Sequence, residues 1–335
     1  MKTVTLGRTN ISVNRNGFGA LPIQRDSHET AQYLLRKAYD NGIRFFDTSR
    51  VYSDSEEKIG NALSDVRANL ILATKTPAVT AAEFRADLET SLKVLKTDYI
   101  DIYQFHNTPF CPMPNDGTGL YEAMLEAKAE GKIKFIGITN HRIHVATQAA
   151  ECGLYDTVQF PFSYLATEND ITLVNLCRRN NVGFIAMKGL SGGLITRADA
   201  AYAYLSQYDN TLPIWGIQRE NELDEFLSFN DNPPVMTEEI KSVIEADRRE
   251  LCGDFCRGCG YCMPCPQVIE INNCNRMSLM LRRAPVPEYT TAGWIDKMNK
   301  IEDCINCGQC MTKCPYNLKI PELLKKNLAD FRTFL

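Results

Sequence analysis

Eight cysteines of this chain form two runs with metal-binding spacing. The first is Cys256, Cys259, Cys262 and Cys265, with Pro266 next; the second is Cys304, Cys307, Cys310 and Cys314, with Pro315 next. The second run, C-x2-C-x2-C-x3-C-P, has the spacing of [4Fe–4S] ligation. Two-residue gaps let three thiolates wrap one cubic cluster, while the cysteine before the proline points to the other cluster. The first run is one residue shorter before its last cysteine. The pattern predicts two [4Fe–4S] clusters with crossed ligation. Cys256, Cys259, Cys262 and Cys314 would hold one, and Cys304, Cys307, Cys310 and Cys265 the other. Zinc is the competing reading, since C-x2-C pairs also build zinc ribbons. Zinc sites use two pairs, however, not two sets of four that each end in Cys-Pro.

A second set of chemistry-bearing residues is dispersed through the first part of the chain. Asp47, Lys75, His106, Asn140 and Gln159 each stand at the end of a short apolar, β-branched run. Singly, each is ordinary: an Asp after a strand is usually a helix cap, and a buried His is usually a hydrogen-bonded core residue. They form a site only if the runs are parallel strands sharing one end, because then five polar side chains meet at one height.

The elements that would position them repeat regularly. Candidate strands are Asn16–Ala20, Ile43–Phe46, Leu70–Thr74, Tyr99–Phe105, Ile133–Thr139, Thr157–Phe160, Val182–Met187 and Pro213–Ile217. Between them lie helical patterns such as His28–Asn41, Ala82–Leu95, Leu120–Glu130, Ile171–Asn180 and Glu220–Phe229. Gly42, Gly131 and Gly183 precede strands, where a helix end calls for a left-handed residue. The repeats predict an α/β fold, a (β/α)8 barrel with its active site at the C-terminal strand ends. An open doubly wound sheet fits less well, since no glycine fingerprint follows the first strand. Asn230–Pro234 reads as a linker. The expected organisation is a barrel over 1–230, a linker and charged helix over 231–250, and a small, mainly helical cluster domain over 251–335.

With 335 residues, 44% hydrophobic and 23% charged, the composition is that of a globular protein. A net charge of −4 without a basic tract argues against nucleic acid as a partner. No stretch has signal-peptide or transmembrane character, so no membrane association and a cytoplasmic location are expected. Cysteines at metal spacing then mean metal rather than disulfides. Cys152 and Cys177 read as small core residues. Cys252 and Cys274 exceed the eight ligands needed, and Cys111 lies in a loop after His106 that would overhang the substrate pocket.

The stretch GIRFFDTSRVYSDSEEKIGNAL, with Asp47, Tyr52 and the Ser55-Glu56 pair, resembles the aldo-keto reductase signature. LATKT places Lys75 and DIYQFHN places His106 where that family has the rest of its tetrad. GITNH with Asn140 and VQFPFS with Gln159 extend the likeness, which covers residues 1 to about 230. A barrel followed by two cysteine runs resembles the branch of the family with a C-terminal ferredoxin-like domain. The resemblance implies a NAD(P)H-dependent oxidoreductase acting on a small-molecule carbonyl or alcohol. Tyr52 would donate a proton to the carbonyl oxygen as hydride arrives at carbon. A phenol titrates near 10, so it needs the Lys75 ammonium, held by Asp47, to act near neutrality. His106 would hydrogen-bond the substrate carbonyl or share the proton load. Asn140 and Gln159 would hold the nicotinamide carboxamide.

Three departures concern the cofactor. Met187 stands where an aromatic often stacks on nicotinamide. Phe226 stands where many members carry an Asn near the adenine. Gly216, Gln218 and Arg219 occupy the stretch that usually meets the 2′-phosphate, so NADP(H) is expected before NAD(H). Nicotinamide moves two electrons as hydride and each cluster moves one, yet no flavin motif is evident. A ferredoxin or flavoprotein redox partner is therefore expected. An alternative is an electron-transfer protein whose barrel is only a docking scaffold.

Overall fold

The computed structural model describes residues 3–251, 255–283 and 286–335; Cys252 lies outside them. The chain divides into two compact units, Met1–Gly189 with Ala198–Thr237, and Leu190–Arg197 with Glu238–Leu335. Against the expected segmentation, the charged helix after the linker groups with the second unit, as does the short segment Leu190–Arg197.

The first unit opens with a hairpin, β1 (Thr3–Thr5) and β2 (Ser12–Asn14). There follow β3 (Gly17–Gly19), α1 (His28–Asp40), β4 (Phe45–Asp47), α2 (Ser55–Leu63), β5 (Ile71–Thr76), α3 (Ala81–Leu95), β6 (Ile100–His106) and α4 (Leu120–Ala129). The unit continues with β7 (Ile133–Thr139), α5 (Ile143–Glu151), β8 (Thr157–Pro161), α6 (Glu168–Arg179), β9 (Gly183–Met187), α7 (Ala198–Leu205), β10 (Thr211–Gly216) and α8 (Glu220–Asp231). Strands β3 to β10 close into a barrel in the order β10-β3-β4-β5-β6-β7-β8-β9, every neighbouring pair parallel. This is the (β/α)8 barrel that the strand–helix repeat predicts.

Local signals place the elements. Thr80 and Glu83 form a capping box that starts α3, and Thr167 with Asp170 does the same for α6. Gly42 and Gly131 have the left-handed backbone expected of them, with φ of 93° and 73°. Gly183 does not: it lies inside β9, and the left-handed residue there is Asn181 at φ 55°. What requires glycine at 183 is space, since a Cβ would stand 2.9 Å from the Leu6 Cβ.

Side chains alternate in and out along each strand, and this sorts the interior into two halves. Phe45, Ala73, Ile102, Ile185, Leu212 and Ile214 pack against Val4, Leu6, Ile11 and Val13, so the hairpin forms an apolar floor at the N-terminal strand ends. Two residues further on, the same strands present Asp47, Lys75 and Gln104 at the other end.

The second unit is helical: α9 (Glu238–Leu251), α10 (Ile271–Cys274), α11 (Met277–Arg283), α12 (Val286–Tyr289), α13 (Ala292–Asn299), α14 (Gln309–Lys313) and α15 (Ile320–Phe331). Its core joins Ile269, Ile271, Met277, Leu281 and Met298 to Leu324, Leu328 and Phe331 of α15. Among the described residues no helix is long and apolar enough to cross a membrane.

Candidate active site and cysteine centre

The site is built where the strands end. Asp47 closes β4 and Lys75 lies in β5, beside it. The Lys75 ammonium donates to Asp47 Oδ1 at 2.6 Å and to the Thr48 carbonyl at 2.5 Å. Both side chains are almost wholly buried, 1% and 3% exposed. Desolvation pulls the Lys75 pKa below its ordinary value and pushes that of Asp47 up; each charge opposes the shift of the other. Lys75 Nζ stands 5.3 Å from the centroid of the Tyr52 ring. That ring, half-buried in the turn before α2, meets His106 edge-on at 5.9 Å. His106 Nδ1 lies 2.8 Å from Ser49 Oγ. Desolvation, assisted by the nearby Lys75 charge, pushes the His106 pKa down to about 3, so the imidazole is neutral at physiological pH.

Beneath these lies a layer of amides. Gln104 Nε2 donates to Gln159 Oε1 at 2.9 Å and to Asp47 Oδ2 at 3.5 Å, while Gln159 Nε2 reaches Asp47 Oδ1 at 3.4 Å. Gln159 thus joins the Asp47–Lys75 network. Asn140 follows β7: its Nδ2 donates to the Thr108 carbonyl at 2.8 Å, and its Oδ1 accepts from the backbone N–H of His141 and Arg142. Met187 ends β9, its sulfur 3.8 Å from Thr139 Oγ1. Gly216, Gln218 and Arg219 lie at the β10–α8 turn, two strands round the barrel from Asp47. There the backbone N–H groups of Gln218 and Arg219 both donate to Glu222 Oε2, at 2.9 and 3.0 Å. Lys37, close by, is paired with Glu220 and Asp224. Buried amides beside the tetrad suit a carboxamide ligand. The carboxylate on the α8 amides leaves exposed Arg219 as the cation there for a phosphate.

In the second unit the cysteines of the two runs mix. Cys256 and Cys262 each feel the charge of Cys259 and of Cys314, from the far run. Cys310 feels Cys304 and Cys307. Cys265 joins those three around a small cavity, partly open to solvent, which Cys262 also borders. Desolvation pushes the Cys262 thiol up to about 12, so an electropositive metal centre is needed to hold it as thiolate. Among the described residues no group of three or more His, Cys, Asp or Glu gathers around a single ion. Soft sulfur donors spread around a cavity fit a multinuclear cluster. Cys274 is buried in the core, its thiol 3.5 Å from the Lys297 carbonyl.

Comparison with known proteins follows the same division. The model of the "Aldo/keto reductase family" matches residues 16–201, and that of the "4Fe-4S dicluster domain" matches residues 255–319. The chain belongs to the aldo/keto reductase family. It is 32% identical to L-galactose dehydrogenase of Arabidopsis thaliana over 210 residues, 57% of this chain and 66% of that one. To the aldo-keto reductase YhdN of Bacillus subtilis it is 29% identical over 216 residues, 58% of this chain and 64% of that one. The chain therefore spans slightly less than two thirds of the length of these relatives. Solved structures share the fold at low identity. Aldo-keto reductase AKR11C1 of Bacillus halodurans aligns with TM-score 0.66 and 21% identity over 76% of this chain and 98% of that one. An aldo-keto reductase of Klebsiella pneumoniae in complex with NADPH gives 0.63 and 22%, over 73% and 94%.

The Ser55-Glu56 pair, which the sequence places in the signature of this aldo/keto reductase, supports the site in a way the sequence does not reveal. Glu56, 1% exposed, accepts from Thr74 Oγ1 at 2.6 Å and Ser91 Oγ at 2.8 Å and pairs with Arg50. Ser55 Oγ donates to the Ala20 carbonyl at 2.8 Å. Together they clamp the turn bearing Tyr52 onto β3, β5 and α3. Gln104 had one available signal, its place two residues before His106 on one strand. Cys111 and Cys152 differ from expectation. The Cys111 side chain is buried, and its thiol is hydrogen-bonded to Cys152 and Tyr155 instead of lining a pocket; Cys152, half-buried, caps α5 instead of filling the core.

Proposed function

We propose that the barrel interconverts a small-molecule carbonyl and its alcohol with a nicotinamide dinucleotide, and that the second unit holds two [4Fe–4S] clusters. The observation that carries the first half is the convergence of Asp47, Lys75, Tyr52 and His106 at one barrel mouth. Bound nicotinamide supplies or accepts the hydride. The protein's part is to manage one proton and one oxygen. Lys75, sealed against Asp47, puts a positive charge 5.3 Å from the Tyr52 ring, which favours release of the phenolic proton to a substrate oxygen. His106 is neutral, so it acts by hydrogen bonding and not as an acid. Ser49 Oγ engages Nδ1, and in the tautomer in which that nitrogen accepts, the Nε2–H would orient the carbonyl. Of the two roles expected for His106, the proposal adopts the hydrogen-bonding one. Asn140 and Gln159 would hold the carboxamide edge, and Met187 would pack where an aromatic is usual.

The dinucleotide is read as NADP(H), through Arg219, with NAD(H) the competing form because Glu222 already occupies the adjoining amides. The Klebsiella pneumoniae relative in complex with NADPH supports the reading of the cofactor class. For the clusters, the ligand sets are Cys256, Cys259, Cys262 and Cys314, and Cys304, Cys307, Cys310 and Cys265. Electrons leave or enter them singly, so a ferredoxin or flavoprotein partner is part of the proposal. The test is anaerobic titration of the purified protein with NADPH and with NADH, following cofactor fluorescence and cluster absorbance together. Quenching or enhancement with either dinucleotide is the expected result. Neither binding, in protein with intact clusters, would remove the reductase reading.

A further inference from the structure

Arg276 connects α10 and α11, and its guanidinium is turned into the second unit. Nη2 donates to the carbonyls of Gly192 at 2.5 Å and Ser191 at 3.5 Å. Nη1 stands so close to the cysteine loop that a Cβ on Gly258 would lie 2.7 Å from it. Gly258 in turn sends its backbone N–H to Cys256 Sγ at 3.4 Å. The Nε–H is buried and has no partner among the described residues. Arg276 is charged at any physiological pH, and among the described residues the groups its charge acts on are Cys256 and Tyr289, neither of them a carboxylate. A partly buried cation with one unsatisfied buried donor is costly unless an anion stands against it. A thiol is neutral and cannot supply that anion; an iron–sulfur cluster with four thiolate ligands carries net negative charge.

The two cysteine groups differ in this respect. Arg257 lies over the Tyr316 ring at 4.3 Å, beside Cys256, and adds a second guanidinium to the first group. The cavity bordered by Cys265, Cys304, Cys307 and Cys310 is otherwise lined by residues such as Pro264, Gln267, Ile305, Asn306 and Leu324, none of them cationic.

We infer that Arg276 is the counter-ion of the cluster held by Cys256, Cys259, Cys262 and Cys314, and that it raises this cluster's reduction potential above that of the other. The inference rests on the two-cluster reading above. One electron added to either cluster adds one negative charge. Arg276 stabilises that charge on the first cluster by its field and by its Nε–H, whereas the second cluster gains nothing comparable. An electron arriving from a low-potential donor would then come to rest on the first cluster.

The test is an anaerobic potentiometric titration of full-length holoprotein with dithionite, followed by paramagnetic resonance. Two reduction waves are expected. In Arg276→Gln, which removes the charge, the higher wave should move to lower potential while the other stays. Arg276→Lys, which restores a charge, should recover most of the shift. Waves that do not move in Arg276→Gln, or that move together, would overturn the inference. If Arg276→Gln loses about half its iron, the lysine variant decides: retention of the cluster near its wild-type potential supports the counter-ion role, and loss as in Arg276→Gln refutes it. Wild-type protein with one cluster or with zinc would instead defeat the two-cluster reading, and iron and sulfide analysis shows this before any titration.

Discussion

An ammonium and a carboxylate sealed together at the mouth of a barrel keep their charges only while both are present. Lys75→Met would therefore act twice: it removes the field on Tyr52, and it leaves Asp47 buried without a cation. The second effect should cost roughly 3–5 kcal/mol of stability, read from the denaturant midpoint, and turnover should fall as well. Tyr52→Phe separates chemistry from packing, because the ring remains and only the proton is lost. Its carbonyl reduction should drop by roughly 10²–10⁴-fold, with dinucleotide affinity by fluorescence titration close to wild type; full activity would sink the Tyr52 mechanism. His106 makes a prediction in pH. Its native pKa, near 3, is depressed below the ordinary value of 6.5, so the unfolded chain takes up the proton first. The stability it contributes is whole above about 6.5 and is lost as pH falls from there toward 3. Between pH 7 and 5 the denaturant midpoint of His106→Gln should fall less than that of the wild type. The pH profile of kcat/KM should show no break near 6.5 from this residue. Of these residues Asp47, Lys75 and His106 were legible from their places at strand ends, and Tyr52 only from the resemblance of the stretch that carries it. The neutrality of His106 was not, because it follows from desolvation that no spacing reveals.

At the level of elements, the turn after β4 hangs on β5 by two backbone bonds, from the Thr48 and Arg50 N–H groups to the Ala73 and Lys75 carbonyls, and needs further support on its α2 side. Glu56 supplies it by reaching from α2 to Thr74 in β5 and Ser91 in α3. Glu56→Ala would strand the Arg50 charge and two hydroxyls, so roughly 3–5 kcal/mol should be lost. Turnover should decline even where the protein remains folded, as Tyr52 loses its fixed place; unchanged kcat and denaturant midpoint would show that the clamp is dispensable. The eight barrel strands could be read because each is an apolar run set between helical periods. The β1–β2 hairpin could not. Its strands are three residues long, and their role as a floor exists only once Val4, Leu6, Ile11 and Val13 meet side chains from across the barrel. Glu56 was visible in the signature but its role was not: a carboxylate on a helix start reads as exposed, and its burial depends on partners 18 and 35 positions away.

On the scale of the whole molecule, two chemistries share one chain, and their stoichiometry is countable. Anaerobically prepared protein should hold about eight iron and about eight sulfide per chain; about four, or zinc without sulfide, would contradict the crossed arrangement. Cys314→Ser should damage the signal of the cluster belonging mainly to the first run, although Cys314 lies in the second. The cysteine spacing predicts this grouping, while the place of Arg276 was not legible, since an isolated arginine between short helices has no motif. One consequence of the exchange of Cys265 and Cys314 concerns assembly. Under the proposed ligation each run would close its own centre only by borrowing a thiol from the other, so the two halves would mature together. The stretch from 266 to 303 becomes a loop tied at both ends at the same moment, and the entropy of tying it is met once for two clusters. Loading should therefore be all-or-none. Native mass spectra taken during anaerobic reconstitution should show empty and fully loaded chains, with half-loaded chains scarce throughout.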